Sequence, residues 1–144
     1  GELLMAIATQ TFIDAAQARL VVAFPDLVVE LFPARPEDYR LNHPVGALLL
    51  AYPGSTFSEA LLRADGVAQE RTLGLSVSLV TRHLWGPDGA VALMDRLRAA
   101  LHGWRPDDCR PVILIRDRLL AEQAGLWWHV LDCACQTRVT VTVT

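Results

Sequence analysis

The sequence of 144 residues contains no lysine, so all 13 of its positively charged side chains are arginines. A phosphate-binding loop of the G-x-x-x-x-G-K-[ST] type needs a lysine, and the chain therefore cannot contain one. The arginines are dispersed along the chain, and the formal net charge is −3. Because nucleic-acid binding usually needs a clustered basic surface, we expect no direct nucleic-acid specificity.

Cysteine is scarce as well, with only Cys109, Cys133 and Cys135. A small and odd number of cysteines is not typical of a secreted disulfide framework. We therefore expect reduced thiols and a protein made in a cytoplasm. His129, Cys133 and Cys135 share one face of a predicted strand. His129 and Cys133 would nevertheless lie roughly 13 Å apart, which is too far for one zinc ion. We therefore predict no metal site and no cofactor.

Motifs for catalysis and for membrane insertion are missing too. Ser55 and Ser58 do not lie in a G-x-S-x-G elbow, and turn chemistry explains them better. The acidic pairs Glu37-Asp38 and Asp107-Asp108 consist of adjacent loop residues that point apart. We predict that the chain is not an enzyme. No uncharged apolar run reaches about 18 residues, so no membrane span is expected.

Hydrophobic residues make up 52% of the sequence, enough for one domain over residues 1–144 with a full core. The strongest pattern lies in residues 70–83. There, large apolar residues alternate with small ones: Leu73, Leu75, Val77 and Leu79 against Gly74, Ser76 and Ser78. Alternation of this kind places the large side chains on one face of a strand. It predicts a long antiparallel strand with one buried face.

Helical spacing of apolar residues predicts a first helix over residues 4–24 and a second one that begins near Ala90. Asp88 is the expected N-cap of the second helix, and Gly103 is its expected stop. Further strands are predicted over residues 27–32, 47–52, 112–121 and 126–136. The order of elements predicts an α+β fold, with a mostly antiparallel sheet and two helices packed on one face.

Residues 55–66 alternate poorly and are predicted to form an exposed loop. The loop contains three large apolar side chains, those of Phe57, Leu61 and Leu62. Full burial of such a side chain is worth about 1.5–3 kcal/mol, so we expect the loop to order against another protein surface. The alternative is that Phe57 and Leu61 pack on their own core.

Two further features suggest contacts with other chains. Trp127 and Trp128 are adjacent on a strand, so one indole should enter the core and the other, taken as Trp128, should face outward as an interface anchor. Cover by its own subunit is the alternative for that ring. The C-terminal segment, residues 137–144, alternates strictly and should join a sheet in its own subunit or in a neighbour. Its apolar members are Val139, Val141 and Val143.

Three segments together resemble the Mu-type phage and prophage tail family known as gene product thirty-seven. They are P-E-D-Y-R-L-N-H-P-V-G-A-L-L-L-A-Y-P-G-S at residues 36–55, V-A-Q-E-R-T-L-G-L-S-V-S-L-V-T-R at residues 67–82, and the helix ending G-W-R-P at residues 89–106. The likeness covers most of residues 5–136. It implies a non-enzymatic structural protein with a fold like that of phage tail terminators.

The resemblance further implies a tail terminator or tail-completion subunit, which forms a ring, usually a hexamer, at the head-proximal end of the tail tube. The implied partners are copies of itself, the tail tube protein, the head-tail connector and, as a further candidate, the tail sheath. The implied location is the virion tail, after assembly in the bacterial host cytoplasm. Two alternatives stay open: another tail or baseplate adaptor component, and a small soluble enzyme or ligand-binding domain.

Overall fold

The computed structural model describes residues 2–5 and 7–143, with side chains from Ile7 onward. Within these ranges the chain forms two α-helices, one short 3₁₀ helix (Pro36–Asp38) and eight strands, and all eight strands belong to one sheet. In chain order the elements are β1 (Glu2–Met5), α1 (Thr9–Ala23), β2 (Val28–Leu31), β3 (Gly46–Ala51), β4 (Ser55–Phe57), β5 (Leu61–Arg63), β6 (Gly66–Thr81), α2 (Ala90–Leu101), β7 (Ile113–Gln123) and β8 (Leu126–Thr142).

The sheet is built around one long antiparallel pair. All 16 residues of β6 pair with β8, from Gly66 opposite Thr142 to Thr81 opposite Trp127. The outer side of β6 pairs in succession with β5, β4 and β3, and β2 adds to β3 in the parallel sense. The outer side of β8 pairs with β7 and then with β1. The sheet therefore has a wide end, β2-β3-β6-β8-β7, and a narrow end, β5-β6-β8-β1.

Both helices pack on one face of the wide end, which confirms the predicted α+β fold. The alternating residues of β6 form the floor of this core: Leu73, Leu75, Val77 and Leu79 are each 0% exposed. The helices cover them with Phe12, Ala16 and Leu20 from α1 and with Leu93, Leu97 and Leu101 from α2. The odd-numbered residues of β6 therefore face the helices, as the sequence pattern predicts.

Between residues 74 and 78 the opposite face of β6 has little bulk, because it carries Gly74, Ser76 and Ser78. The Ser76 hydroxyl donates a hydrogen bond to the Asp132 carboxylate on β8 at 2.6 Å. At Gly74 the chain that connects β3 to β4 passes so close that the Gly74 N–H donates to the Gly54 carbonyl at 2.9 Å. A Cβ on Gly74 would lie 2.8 Å from that carbonyl oxygen, so only glycine fits here without a shift of the backbone.

The predicted start of the first helix at Leu4 is wrong. Helix α1 begins at Thr9, and Glu2–Met5 is a strand that pairs with β8. The alternating C-terminal segment extends β8 as far as Thr142 and so offers an open edge, and pairing along it satisfies the backbone of β1. The segment thus joins its own sheet; Ala6 and Thr144 lie outside the described residues.

The predicted loop at residues 55–66 is wrong as well, because it contains β4 and β5, which both pair with β6. Strand β6 begins at Gly66 rather than at the predicted residue 70, and its additional length supplies an edge for both short strands. A smaller correction concerns α2, whose N-cap is Gly89 and not Asp88. The predicted stop is present: Gly103, directly after the C-cap His102, has a φ of 79°.

The facing of β6 can be tested with two neighbouring substitutions. We expect Leu75→Ala to lower the free energy of unfolding by about 1–4 kcal/mol, because it leaves a cavity in the core. Ser76→Ala should lower it by less than about 1 kcal/mol, because it removes one partly exposed hydrogen bond. Urea denaturation of both variants measures the difference, and equal losses would show that the assignment of faces is wrong.

Candidate assembly interface

The narrow end of the sheet extends beyond the helices as a ribbon. We define the ribbon as β1, β4, β5, residues 66–72 of β6 and residues 136–142 of β8. These two segments pair over seven successive positions, Gly66–Thr142 to Thr72–Gln136. At about 3.3 Å per residue they span roughly 23 Å. Among residues 7–143, the hydrophobic core beneath the helices includes none of the ribbon's apolar side chains.

One face of the ribbon bears a row of apolar side chains. Leu62, Val67 and Val141 occupy directly opposite positions on β5, β6 and β8, so they point to the same side. Val67 has an odd number on β6, and the row therefore continues the helix-side face past the end of the helices. Leu62 is 74% exposed, whereas Val67 and Val141 are half-buried.

Two more candidates lie on the same face of the ribbon. Phe57 pairs with Arg71, and Val139 pairs with Gln69, in both cases an odd-numbered position of β6. Phe57 is 56% exposed, so it does not pack on its own core. Together with Leu62, Val67 and Val141, these side chains form what we call the apolar face of the ribbon.

Leu61 and Val143 also belong to the ribbon region but are placed differently. Leu61 pairs with Ala68 and therefore points to the opposite face, where it remains more than half exposed. Val143 follows β8, and its N–H donates to the Asp65 carbonyl in the turn between β5 and β6 at 2.6 Å. Six of the seven predicted interface residues thus gather at one end of the molecule.

The seventh, Trp128, lies at the other end of β8. Its indole packs with Leu49 and Val80 in a small cluster on the helix-free face, and Tyr39 meets the ring edge-on at 5.5 Å between centroids. Burial, with a smaller effect of Glu30, raises the pKa of Tyr39. Trp128 also lines an open cleft of about 530 Å³. Part of its ring is therefore covered by its own chain and part is accessible.

The expected division between the two tryptophans, one in the core and one outside, is not observed. Trp127 and Trp128 are both half-buried. They lie beside the hairpin turn between β7 and β8, where Gln123 pairs with Leu126 and the sheet ends. Neither ring therefore has a full layer of protein above it.

Arg71 is a buried charge at the candidate interface that the sequence pattern does not reveal. It is 7% exposed and sits at the base of the ribbon. Its Nε donates to Ser55 Oγ at 2.9 Å, and its Nη2 donates to Thr9 Oγ1 at 2.7 Å and to the Tyr52 hydroxyl at 3.1 Å. Hydrogen bonds with Ser55 and with Arg71 lower the pKa of Tyr52. Arg71, on β6, thus connects the start of α1 and the end of the β3–β4 segment to the base of the ribbon.

The three cysteines are free and buried, with at most 4% of any side chain exposed. Burial raises the pKa of Cys133 to about 12 and also raises those of Cys109 and Cys135. Burial lowers the pKa of His129, whose Nδ1 is buried without a hydrogen-bond partner in the described part of the chain. No group of three or more His, Cys, Asp or Glu residues within residues 2–5 and 7–143 could hold a metal ion.

The buried thiols should be chemically inert in the folded protein. Since the thiolate is the reactive species, a pKa near 12 leaves only about one part in 10⁴ of Cys133 reactive at pH 8. We expect Ellman's reagent to label no cysteine of the native chain within minutes at pH 8. All three should react after denaturation in guanidinium chloride. Rapid labelling of even one thiol in the native state would contradict this placement.

The architecture is that of a small α+β protein whose sheet extends beyond the helices as the ribbon, where Phe57 and Leu62 are exposed on the apolar face. The family model "Gp37 protein" matches residues 17–143. The chain belongs to this family, which is a phage-associated family of structural proteins. The family match confirms the coarse part of the resemblance drawn from the sequence. In the described ranges, neither helix is both long and apolar enough to cross a membrane.

Other comparisons add little. A comparison with curated proteins gives no match. Eleven chains in solved structures match. One of them belongs to the "Virion of native gene transfer agent (GTA) particle", with 14% sequence identity and a TM-score of 0.46 over 91% of this chain and 94% of that one. A likeness at this level carries no argument about function.

Proposed function

We propose that this chain is a tail terminator or tail-completion subunit of a Mu-type phage or prophage. In this proposal, a ring of copies, six in number, sits at the head-proximal end of the tail tube, ends its polymerisation and joins the tail to the head connector. Membership of the Gp37 family supports a structural role in a phage particle. The observation that carries the assembly role is the exposed apolar face of the ribbon.

The ribbon is suited to binding because it is already ordered. Its two central strands have hydrogen-bonded neighbours on both sides along most of its length. A flexible loop with the same side chains would lose conformational entropy on binding, whereas a paired ribbon has lost it during folding. Burial of its apolar face would contribute about 25 cal/mol per Å² of apolar surface removed from water. The ribbon therefore presents Phe57 and Leu62 in fixed positions.

The direction of the ribbon suggests its partner. The ribbon continues the sheet in the direction of the strands, whereas the two lateral edges of the wide end, β2 and β7, flank the sheet on its sides. In a ring whose axis runs roughly along the strands, lateral edges would meet neighbouring copies and the ribbon would meet the next component of the tail. We therefore assign the apolar face of the ribbon to the tail tube protein. The head connector would contact the opposite end of the ring, and a tail sheath, where present, its outside.

A pair of adjacent leucines tests the role of this face. Leu62→Glu places a charge on the apolar face, and Leu61→Glu is the matched control on the opposite face. Both residues are more than half exposed, so each substitution should change the free energy of unfolding by only about 0.5 kcal/mol. We expect Leu62→Glu to reduce the amount of this chain found in phage particles by about tenfold or more, because assembly would bury an unpaired charge. The Leu61→Glu variant should be incorporated into particles far better.

The readout is complementation of a phage that lacks this gene. Without the chain we expect overlong tail tubes without heads in electron micrographs, and the wild-type chain should restore normal tails. Normal tube length with a missing or defective tail tip would instead favour a baseplate adaptor. Equal incorporation of the Leu61 and Leu62 variants at wild-type level would contradict the role of the apolar face.

A further inference from the structure

We propose that neighbouring copies in the ring join edge to edge, with β7 of one copy beside β2 of the next. This inference rests on the ring of the proposed function and names the contact that closes it. A closed ring needs two different surfaces on each copy, one of which meets the other on the neighbour. The two edges of the wide end of the sheet are such a pair.

The strand directions are compatible with this contact. Strand β7 runs antiparallel to β8 and therefore in the same direction as β6, whereas β2 and β3 run opposite to β6. When copies are related by rotation about an axis parallel to the strands, each strand keeps its direction along that axis. Strand β7 of one copy then lies antiparallel to β2 of the next, as in an ordinary antiparallel sheet.

Strand β7 has the properties of an edge that associates. The described residues place no strand on its outer side. It exposes several large apolar side chains, those of Ile113, Ile115, Leu119 and Leu120. A strand edge with unpaired backbone groups can pair with another chain. Its register shifts at Ile115 and at Leu120, and the regular stretch between them, residues 116–119, has the same length as β2, which has four residues.

The charges of the two edges are complementary on the helix-free face. Arg118 pairs with Val130, an even-numbered position of β8, and therefore points away from the helices. Glu30 on β2 pairs with Leu49, which belongs to the cluster on that same face. Neither Arg118 nor Glu30 forms an ion pair within residues 7–143. Edge-to-edge contact would bring these opposite charges together on one side of the joined sheets.

The helix-side face matches as well. Leu119 pairs with His129 and Leu31 pairs with Leu50, so both leucines point to the side of the helices. They are 51% and 46% exposed. With Arg118 opposite Glu30 in an antiparallel pair, Leu119 lies opposite Val29 and Leu31 is its diagonal neighbour, so contact between copies would cover both leucines. The nearby Asp117 would not be left as an isolated charge, because Arg98 on α2 already binds it at 2.7 Å.

Side chains rather than the backbone should give this contact its selectivity. One backbone acceptor of β2, the Val29 carbonyl, already receives a hydrogen bond from Gln17 Nε2 at 3.3 Å. The two register shifts of β7 also limit regular strand pairing to a short stretch. The Arg118–Glu30 pair on one face and the exposed leucines on the other would still favour one register.

Charge reversal tests the pairing of Glu30 with Arg118. We expect Glu30→Arg and Arg118→Glu, each alone, to raise the protein concentration needed for half-maximal ring formation by about tenfold or more at low salt, since like charges then meet. The chain with both changes should assemble as the wild type does. An equimolar mixture of the two single variants should also assemble, and only into rings with an even number of alternating copies. Sedimentation velocity and native mass spectrometry measure these states, with purified tail tubes added if the wild type requires them.

Arg110→Glu, which reverses an exposed arginine outside both edge strands, is the control and should assemble normally. Circular dichroism should show every variant folded, because both target side chains are exposed. Wild-type rings that tolerate each single reversal, or single variants that fail to complement each other in the mixture, would overturn the edge contact and leave the ring intact. A wild-type chain that remains monomeric on tail tubes would overturn the ring and this inference with it.

Discussion

The pairing of β6 with β8 is the constraint on which the rest of the structure depends. Every residue of β6 has a partner on β8, so one register determines the facing of all side chains on both strands. Because the period of a strand is two residues, a shift by one position would expose the core and bury the serines. The same register that buries Leu75 beneath the helices places the half-buried Val67 and Val141 on the ribbon, beyond the helices. Core and candidate interface are therefore two parts of one face.

The sequence predicts the parts of this fold that depend on local patterns. The alternation around Leu75 predicts the facing of β6, and the helical stripe predicts α2. It does not predict β1, β4 or β5, because these short strands exist only through pairing with distant partners on β6 and β8. Residues 2–5 fit a helical pattern as well as a strand, and only the open edge beside Val139 decides between them.

The candidate site was predictable to a similar extent. Exposed apolar side chains in residues 57–62 and the alternating valines after residue 137 both indicate a contact surface, although nothing in their spacing shows that they share one ribbon. Arg71 could not be found this way, because a charge in an alternating strand resembles a solvent-facing position. Its hydroxyl partner Thr9 lies 62 positions away in the sequence. Contacts between residues this far apart leave no recognisable pattern in the local sequence.

The arrangement separates two kinds of contact, lateral contacts at the edges of the wide end and an axial contact at the ribbon. A cryo-electron microscopy reconstruction of tails that contain this chain tests that account most directly. We expect one ring of copies at the head-proximal end of the tube, with Leu62 and Val141 buried against the tube protein. A reconstruction in which the apolar face of the ribbon remains open to solvent, or in which the chain lies elsewhere in the particle, would contradict it.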